Sequence, residues 1–317
     1  MNRIKFSIAI PSYKKKYLYE AIESVLAQTY TCYEIIIVDD CSPENLEPVV
    51  NKYNDARIHY YKNTQNCGAI DVVDNWNICL RYCTGDYVIC MGDDDRLLPC
   101  CLEEYSKLIK RYPRIGVVHG WSEIIDENGD FYSMQQPRPL YEGAMSLLWN
   151  RWHGRDRQYI GDFCFNIKLL RQNGGFYKLP MAWGSDDITA VKAAIPFGIA
   201  NTQVLCFQYR ENRNSISSSG SQDIKMKATL AEKEWYKQFL SESLNIKDDI
   251  ERRYHILLVK ELNQHFLEKF KVQVYRDLKQ NIWRVFHWIR VRKKYGISII
   301  RILFAAKMVI ESNFHGK

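Results

Sequence analysis

The sequence lacks the features that define several protein classes. No stretch reaches the eighteen or so apolar residues of a membrane-spanning helix, and the first apolar run, Phe6–Ile10, is too short for a signal peptide. The ten cysteines include no C-x-x-C pair, which argues against a zinc set. A chain of 317 residues buries enough surface to fold without disulfides. We therefore expect a reducing, cytosolic environment.

The excess of positive charge is confined to the C-terminal end. Residues 281–317 contain eight lysines and arginines against one glutamate, so the remainder of this +7 chain is close to neutral. A neutral body argues against a nucleic-acid partner. The same segment carries Trp283, Phe286, Trp288 and Phe304, a combination typical of amphipathic helices on an anionic membrane surface. A helical hairpin that completes the core, or a homodimer interface, is the alternative.

Short apolar runs alternate with helical patterns in the first third of the chain, which predicts an α/β fold with a largely parallel sheet. The predicted strands are Phe6–Ile10, Glu34–Val38, Ile58–Tyr61 and Tyr87–Met91. Ligands bind where the carboxyl ends of such strands converge, so the loops that follow these strands are expected to share one crevice. From about Ile224 the pattern is helical. We predict an α/β domain over 1–221 and a helical, basic region over 222–317.

The stretch CMGDDDRLLP places Asp93, Asp94 and Asp95 directly after a buried strand. Carboxylates about 4 Å apart repel by roughly 4 kcal/mol at an effective dielectric of about 20. The aspartates therefore either hold a cation or form a solvated turn at the start of the next helix.

Four segments in the right order resemble the inverting family 2 glycosyltransferases of bacterial surface-polysaccharide synthesis, which have a GT-A fold. They are SIAIPSYKKKYLYEAIESVLAQTY, EIIIVDDCSPEN, NCGAIDVVDNWNICLRYCTGDYVICMGDDDRLLP and GGFYKLPMAWGSDDITAVKAA. The resemblance covers about residues 4 to 216. It implies a Rossmann-like, mostly parallel sheet flanked by helices, followed here by the helical appendage.

The resemblance also implies a divalent metal, Mn²⁺ or Mg²⁺, that neutralises the diphosphate of a nucleotide-sugar donor. Asp94 matches the principal metal ligand, Asp95 the trailing acid and Asp93 the position nearest the ribose. Gly92 stands where the family usually has its first aspartate, so the main ligand role is expected to fall on Asp94.

Other positions match the donor site of the family. The matching residues are Pro11, Ser12, Tyr13, Asp39, Asp40, Asn66, Gly68, Asn77 and Arg210. Asp40 matches the aspartate that contacts the base, although turn formation alone would explain one of the pair Asp39–Asp40. Asn77 would equally serve to tie loops together. Arg210, with Arg213 after it, is expected to swing onto the diphosphate, or else to form a surface ion pair.

The segment WGSDD contains the predicted catalytic base. By resemblance, Asp187 takes the proton of the acceptor hydroxyl, and Asp186 and Trp183 contact the acceptor sugar. Acids in the first turn of a helix also favour the helix dipole without any catalysis, and Trp183 is equally suited to pack the loop.

The resemblance, together with the basic C-terminal segment, implies a metal-dependent enzyme that transfers a sugar, with inversion, from a nucleotide-sugar, most simply a UDP-sugar, to a growing and lipid-linked glycan of O-antigen or capsule type. We expect it to lie on the inner face of the cell membrane. One alternative is a nucleotidyltransferase that forms the nucleotide-sugar, although PSYKKKY lacks the glycine-rich loop expected there. A non-catalytic nucleotide- or glycan-binding scaffold is the other.

Overall fold

The computed structural model describes residues 3–155, 157–212, 221–242 and 246–315, and for 313–315 it describes the backbone alone. The chain divides into two units. The first comprises residues 1–178 and 185–218, and the second comprises residues 179–184 and 219–317.

The first unit is built on one mixed sheet. Its strands within the described residues are β1 (Phe6–Ser12), β2 (Tyr33–Asp39), β3 (Ile58–Lys62), β4 (Tyr87–Cys90), β5 (Arg96–Leu97), β6 (Val117–Ile125), β7 (Phe131–Met134), β8 (Tyr141–Glu142), β9 (Phe163–Asn166) and β10 (Ile199–Arg210). The order is β3-β2-β1-β4-β9-β6-β10-β5, with β7 beside β6 and β8 beside β10. Strands β1 to β4 are parallel. Strand β9, which the sequence did not predict, is antiparallel to both neighbours.

The helices of the first unit cover this sheet. They are α1 (Leu18–Leu26), α2 (Glu47–Val50), α3 (Val72–Tyr82), α4 (Cys101–Arg111), α5 (Ala144–Trp152), α6 (Ile167–Gln172) and α7 (Ser185–Ala194). Helix α1 illustrates the cause, because Leu18, Ala21, Ile22 and Val25 recur at helical spacing and are all buried. They join the same apolar core as Tyr105 of α4. The predicted α/β class with flanking helices is confirmed.

The second unit is helical, as predicted for the C-terminal region. It contains α8 (Gln222–Ser241), α9 (Asp249–Gln280), α10 (Val285–Val291) and α11 (Ile299–His315). Helix α9 buries an apolar stripe, namely Leu258, Leu262, Phe266 and Phe270, whereas Leu257 is exposed. None of the helices in the described ranges combines the length and apolarity that crossing a bilayer requires.

Candidate active site

The loops after β1 and β2 meet at the carboxyl edge of the sheet. Ser12 pairs with Asp39 in the parallel register, and the Asp40 amide donates a hydrogen bond to the Ser12 carbonyl at 2.8 Å. Further along, the Ser42 hydroxyl donates to the Tyr13 carbonyl at 2.6 Å. These contacts bring the first two predicted loops together, with Tyr13 exposed at their rim.

Asp93 joins the third loop to the first. Its carboxylate accepts hydrogen bonds from the backbone amides of Tyr13 at 2.7 Å and Lys14 at 2.8 Å. Burial, together with the neighbouring charge of Asp94, raises the pKa of Asp93 to about 6. Asp93 therefore clamps the aspartate turn, residues 92–95, onto the loop that follows β1.

Asp94 occupies the space that a side chain at position 92 would need. A Cβ added to Gly92 would lie 2.9 Å from Asp94 Oδ1, closer than real Cβ contacts come. The other oxygen, Oδ2, accepts a hydrogen bond from the Asn212 side chain at 2.6 Å. Burial raises the pKa of Asp94. The glycine that departs from the family pattern thus makes room for the Asp94 carboxylate.

Asp95 is buried and holds the turn to the end of β10. Its Oδ1 accepts a hydrogen bond from the Arg210 backbone amide at 2.9 Å. Burial and the charge of Asp94 raise its pKa well above the ordinary range of an aspartate. The three adjacent carboxyls therefore have different surroundings, and two of them are engaged by backbone amides.

The Arg210 guanidinium is fully buried behind the turn. It donates to the Asp94 carbonyl at 2.8 Å and to Glu20 Oε2 at 2.6 Å. It also donates to the carbonyls of Asp126 at 3.2 Å and Glu127 at 3.3 Å. In this structure Arg210 fixes the shape of the aspartate turn, and a swing onto a diphosphate would break all of these hydrogen bonds.

The turn fits a divalent cation through one carboxylate rather than three. Within the described ranges, no group of three or more His, Cys, Asp or Glu side chains is arranged to hold a metal. Asp93 and Asp95 accept backbone hydrogen bonds, which leaves Asp94 as the carboxylate best placed for a cation. Mg²⁺ at nucleotide sites is commonly held by one or two carboxylates plus substrate phosphates and waters. That donor set is compatible with Asp94.

Asp39 and Asp40 have different partners. Asp39 is fully buried, and its carboxylate accepts from the Ser42 amide at 2.7 Å and the Tyr60 hydroxyl at 2.7 Å. The Asp40 carboxylate accepts from the Asn63 side chain at 2.9 Å and from the Cys67 amide at 3.0 Å. Asp39 thus stabilises the turn after β2, whereas Asp40 orders the next loop over the site.

The loop after β3 carries Asn66 and Gly68. The Asn66 side chain donates to the carbonyl of Asp40 at 2.5 Å. Gly68 has φ +77°, in the left-handed region that glycine tolerates without strain. This loop is therefore anchored to the residue predicted to contact the base.

Asn77 on α3 ties that helix to a distant loop. Its side chain accepts from the Phe176 amide at 2.8 Å and donates to the Phe176 carbonyl at 3.1 Å. Trp76 is almost buried and packs edge-on against the Phe176 ring, with 5.9 Å between the ring centres. In this structure both residues hold the loop that leads towards α7.

The predicted base lies in the first turn of α7, in a polar cluster. Asp187 Oδ1 accepts from Arg151 Nε at 2.8 Å and from Gln158 Nε2 at 2.6 Å. Burial and the neighbouring charge of Asp187 raise the pKa of Asp186 to about 8. The raised pKa favours the protonated form of Asp186.

The segment that carries Gln158 also approaches the aspartate turn. At Gly161 an added Cβ would lie 3.5 Å from the Met91 Cα and 2.5 Å from Phe207 Cζ. Met91 immediately precedes the aspartate turn, so residues 158–162 pass from the Asp187 cluster to the end of β4. The Phe207 ring, rather than Met91, leaves no room for a side chain at position 161.

Trp183 belongs to the second unit. There the Lys225 ammonium lies 4.8 Å from the centre of its ring. Arg213, predicted to assist Arg210, lies outside the described residues.

Sequence reasoning missed several residues that contact predicted site aspartates. Arg151 and Gln158 lie in a stretch with no recognisable motif, and Asn212 lies just beyond β10. Asn212, and Asn63 beside Asp40, had a usable signal, namely a polar residue close after a strand that ends at the site.

The comparisons with known proteins agree with this geometry. A family model described as glycosyl transferase family 2 matches residues 7–174, just over half of the chain. The chain belongs to this family. Membership makes this family 2 protein a glycosyltransferase, and it favours that function over the nucleotidyltransferase and the scaffold.

Curated relatives of this family 2 glycosyltransferase include bacterial enzymes of glycan synthesis. It is 27% identical over 229 residues to the Escherichia coli UDP-Glc:alpha-D-GlcNAc-diphosphoundecaprenol beta-1,3-glucosyltransferase WfgD, covering 71% of this chain and 84% of WfgD. It is 34% identical to the Escherichia coli putative colanic acid biosynthesis glycosyl transferase WcaA, covering 44% of this chain and 50% of WcaA. An uncharacterized glycosyltransferase of Rickettsia conorii is 34% identical over 45% of this chain, which spans only 24% of that relative.

Solved structures share the fold. TarS 1-349 of S. aureus, in complex with UDP-GlcNAc, superimposes with a TM-score of 0.58 at 17% identity, covering 99% of this chain and 93% of TarS 1-349. The mannosyltransferase PcManGT from Pyrobaculum calidifontis, in complex with GDP-Man and Mn²⁺, gives 0.53 at 15% identity, covering 97% and 87% of the two chains. The predicted GT-A type of fold is thereby confirmed for this family 2 glycosyltransferase.

Proposed function

We propose that this glycosyltransferase moves a sugar, with inversion, from a nucleotide-sugar to a hydroxyl of a growing, lipid-linked glycan in surface-polysaccharide synthesis, and that it depends on a divalent metal. The observation that carries the proposal is the junction of three loops at one sheet edge, where the Asp93 carboxylate clamps the aspartate turn to the amides of Tyr13 and Lys14. Such a junction is the usual ligand site of a parallel sheet.

We assign the donor nucleotide to the crevice between these loops. Asp40 would contact the base, with Pro11, Ser12 and Tyr13 lining it from the loop after β1. Asn66 and Gly68 would shape the wall that closes over it, because Asn66 is hydrogen-bonded to Asp40. We expect an indirect role for three other residues, Asp39, Asn77 and Arg210. Their polar groups form hydrogen bonds within the protein, so they would position the residues that contact the donor.

We assign the metal to Asp94, with Asp93 and Asp95 shaping the turn that presents it. When bound, a divalent ion supplies positive charge that stabilises the diphosphate leaving group. The protein's own contribution is to hold the Asp94 carboxylate in place, through Asn212 on one side and the absence of a side chain at Gly92 on the other.

The transfer itself requires one base. The acceptor oxygen forms a bond to the anomeric carbon as the bond from that carbon to the diphosphate oxygen breaks, and the leaving nucleoside diphosphate keeps the electron pair. Asp187 takes the proton from the acceptor hydroxyl. Attack on the face opposite the leaving group inverts the anomeric configuration. Asp186, whose raised pKa favours its protonated form, would donate a hydrogen bond to the acceptor.

The relative WfgD supports a lipid-linked acceptor, since that enzyme acts on a diphosphoundecaprenol substrate. The structural neighbours TarS 1-349 and PcManGT are in complex with UDP-GlcNAc and GDP-Man, which supports a nucleotide-sugar donor. We propose a UDP-sugar as the donor of this chain.

We propose that the helical region binds the inner face of the membrane. Trp283 is 73% exposed and Phe304 is 61% exposed, and Phe286, Ile300 and Leu303 are exposed as well. Eight basic residues lie in the same C-terminal segment, so an anionic bilayer complements both its charge and its apolar side chains.

Vesicle sedimentation tests this surface. Changing Trp283 and Phe304 together to Glu should abolish binding to phosphatidylglycerol vesicles, whereas Ile250→Glu, at an exposed apolar residue of α9, should leave binding unchanged. If the double variant still binds vesicles, or if it instead converts a dimer into a monomer, the surface serves another purpose.

The donor is tested by thermal unfolding with a panel of UDP, GDP and their sugars, each with and without Mn²⁺. A ligand of the folded state raises the unfolding temperature in proportion to its affinity. We expect a Mn²⁺-dependent rise with uridine nucleotides that Asp94→Ala abolishes. A rise that persists in Asp94→Ala would move the metal site elsewhere.

A further inference from the structure

Two polar side chains hold the same oxygen of Asp187. Arg151 Nε lies 2.8 Å from Oδ1, and Gln158 Nε2 lies 2.6 Å from it. Asp187 is only 5% exposed, so water contributes little to stabilising its charge. Both donors come from outside α7, Arg151 from α5 and Gln158 from the segment before β9.

A third residue fixes the orientation of Gln158. Arg138, itself buried, donates from Nη2 to Gln158 Oε1 at 3.3 Å and to the Arg157 carbonyl at 2.6 Å. A guanidinium beside the amide oxygen requires the amide nitrogen to face the other way, towards Asp187. The Gln158 amide is therefore oriented as a donor to the carboxylate.

Burial disfavours a negative charge on Asp187. Asp186 precedes it on α7, with a raised pKa that favours its neutral form, and the buried Asp162 contributes to that raised pKa. Burial and like charges both favour the protonated form of a carboxyl, whereas an adjacent cation and hydrogen-bond donors favour the ionised form. Arg151 supplies the cation at this position, and Gln158 supplies a neutral donor.

We propose that Arg151 and Gln158 are positioning residues for the catalytic base, which hold the Asp187 carboxylate in place and ionised so that it accepts the proton of the acceptor hydroxyl. The inference rests on the proposed function, because it presumes that Asp187 is the base. Arg151 and Gln158 act through Asp187 and need not touch the sugar.

The test is the pH dependence of the transfer rate at saturating donor and acceptor, using the substrate pair that the wild-type protein turns over. An opposite charge beside an aspartate typically shifts its titration by about one to three units. Arg151→Met should therefore move the acid limb of the profile upwards by about one unit or more, and Gln158→Met by a smaller step. Arg151→Lys keeps the positive charge, so its acid limb should lie close to the wild-type position. The exposed Arg155 offers a matched control, and Arg155→Met should leave the profile in place.

We expect Arg151→Met to bind the donor nucleotide with unchanged affinity, because the variant loses activity in the transfer step. A variant whose rate falls equally at every pH, with the acid limb unmoved, would overturn the inference and leave Arg151 a structural role. If Arg151→Met fails to fold, Gln158→Met decides in its place. An acid limb that moves upwards in Gln158→Met would then support the inference, and one that stays at the wild-type position would refute it.

Asp187→Asn separates this inference from the proposed function. Transfer that persists in Asp187→Asn would overturn both, because Asp187 would not be the base. Transfer lost in Asp187→Asn, with no displacement of the limb in the Arg151 and Gln158 variants, would overturn the positioning role alone.

Discussion

Replacing Arg210 by methionine separates a structural role from a donor-binding role. Methionine keeps most of the apolar stem and removes the guanidinium, which takes one hydrogen-bond donor from the carbonyls of Asp94, Asp126 and Glu127. The Asp126 carbonyl keeps the Gly129 amide, and the Glu127 carbonyl keeps the Tyr17 hydroxyl. The Asp94 carbonyl loses its donor, which costs about 1 kcal/mol. The contact of the guanidinium with the Tyr17 ring, at 4.2 Å, adds about 1 kcal/mol.

Glu20 adds little to this loss, because it is partly exposed and keeps its ion pair with Arg96. We therefore expect Arg210→Met to lower the free energy of unfolding by about 2 kcal/mol. For a chain of this size that corresponds to a fall of roughly 5 °C in the unfolding temperature.

Thermal or urea unfolding of Arg210→Met measures this loss, with Arg155→Met as the matched control at an exposed arginine. Donor affinity should be measured on the same samples. A loss of stability below about 1 kcal/mol, combined with a large loss of nucleotide affinity, would refute our reasoning. The guanidinium would then belong to the diphosphate, as the sequence led us to expect.

Two further predictions concern the sheet and the aspartate turn. Burial opposes ionisation of Glu34, but hydrogen bonds from Lys5, Ser7 and Thr84 lower its pKa to about 2. The ionised form therefore stabilises the folded protein, and Glu34→Gln should destabilise it by about 2–3 kcal/mol at neutral pH. The difference in free energy of unfolding between the wild type and this variant should shrink as the pH falls from about 4.5 towards 2. Urea unfolding across this range measures it, and a difference independent of pH would contradict the prediction. Gly92→Ala should weaken Mn²⁺-dependent nucleotide binding about tenfold, because the new Cβ displaces the Asp94 carboxylate. Titration calorimetry measures this affinity, and an unchanged value would contradict the prediction by showing that the turn adapts.

The first half of the sheet was predictable because its strands are buried on both faces. Parallel strands covered by helices give near-continuous apolar runs, and β1, β2 and β4 have this pattern. The loops that follow them could therefore be placed at one edge before any coordinates were known. The fold and the family followed from these segments.

The middle of the chain was less predictable because its elements are short. Strand β9 has four residues and β5 has two, and neither is long enough to show the apolar pattern of a strand. Their places in the sheet depend on pairing with strands distant in sequence. The helix α5, which carries Arg151, lies in the same irregular stretch.

The roles of individual site residues depend on contacts that the sequence does not encode locally. Asp93, Asp94 and Asp95 are equivalent as letters, but Asp93 meets the amides of Tyr13 and Lys14 and Asp95 meets that of Arg210. Only the fold brings these partners together. Our separate proposals for the three aspartates therefore rest on the structure.

The central claim is that Asp187 is the base of a sugar transfer whose donor is held elsewhere in the site. Asp187→Asn tests it most directly when the transfer rate and the donor affinity are measured on the same protein, with Asp249→Asn as a control at an exposed aspartate. We predict that transfer falls by about 100-fold or more while the nucleotide-sugar binds as it does to the wild type. Transfer at the wild-type rate in Asp187→Asn would contradict the account.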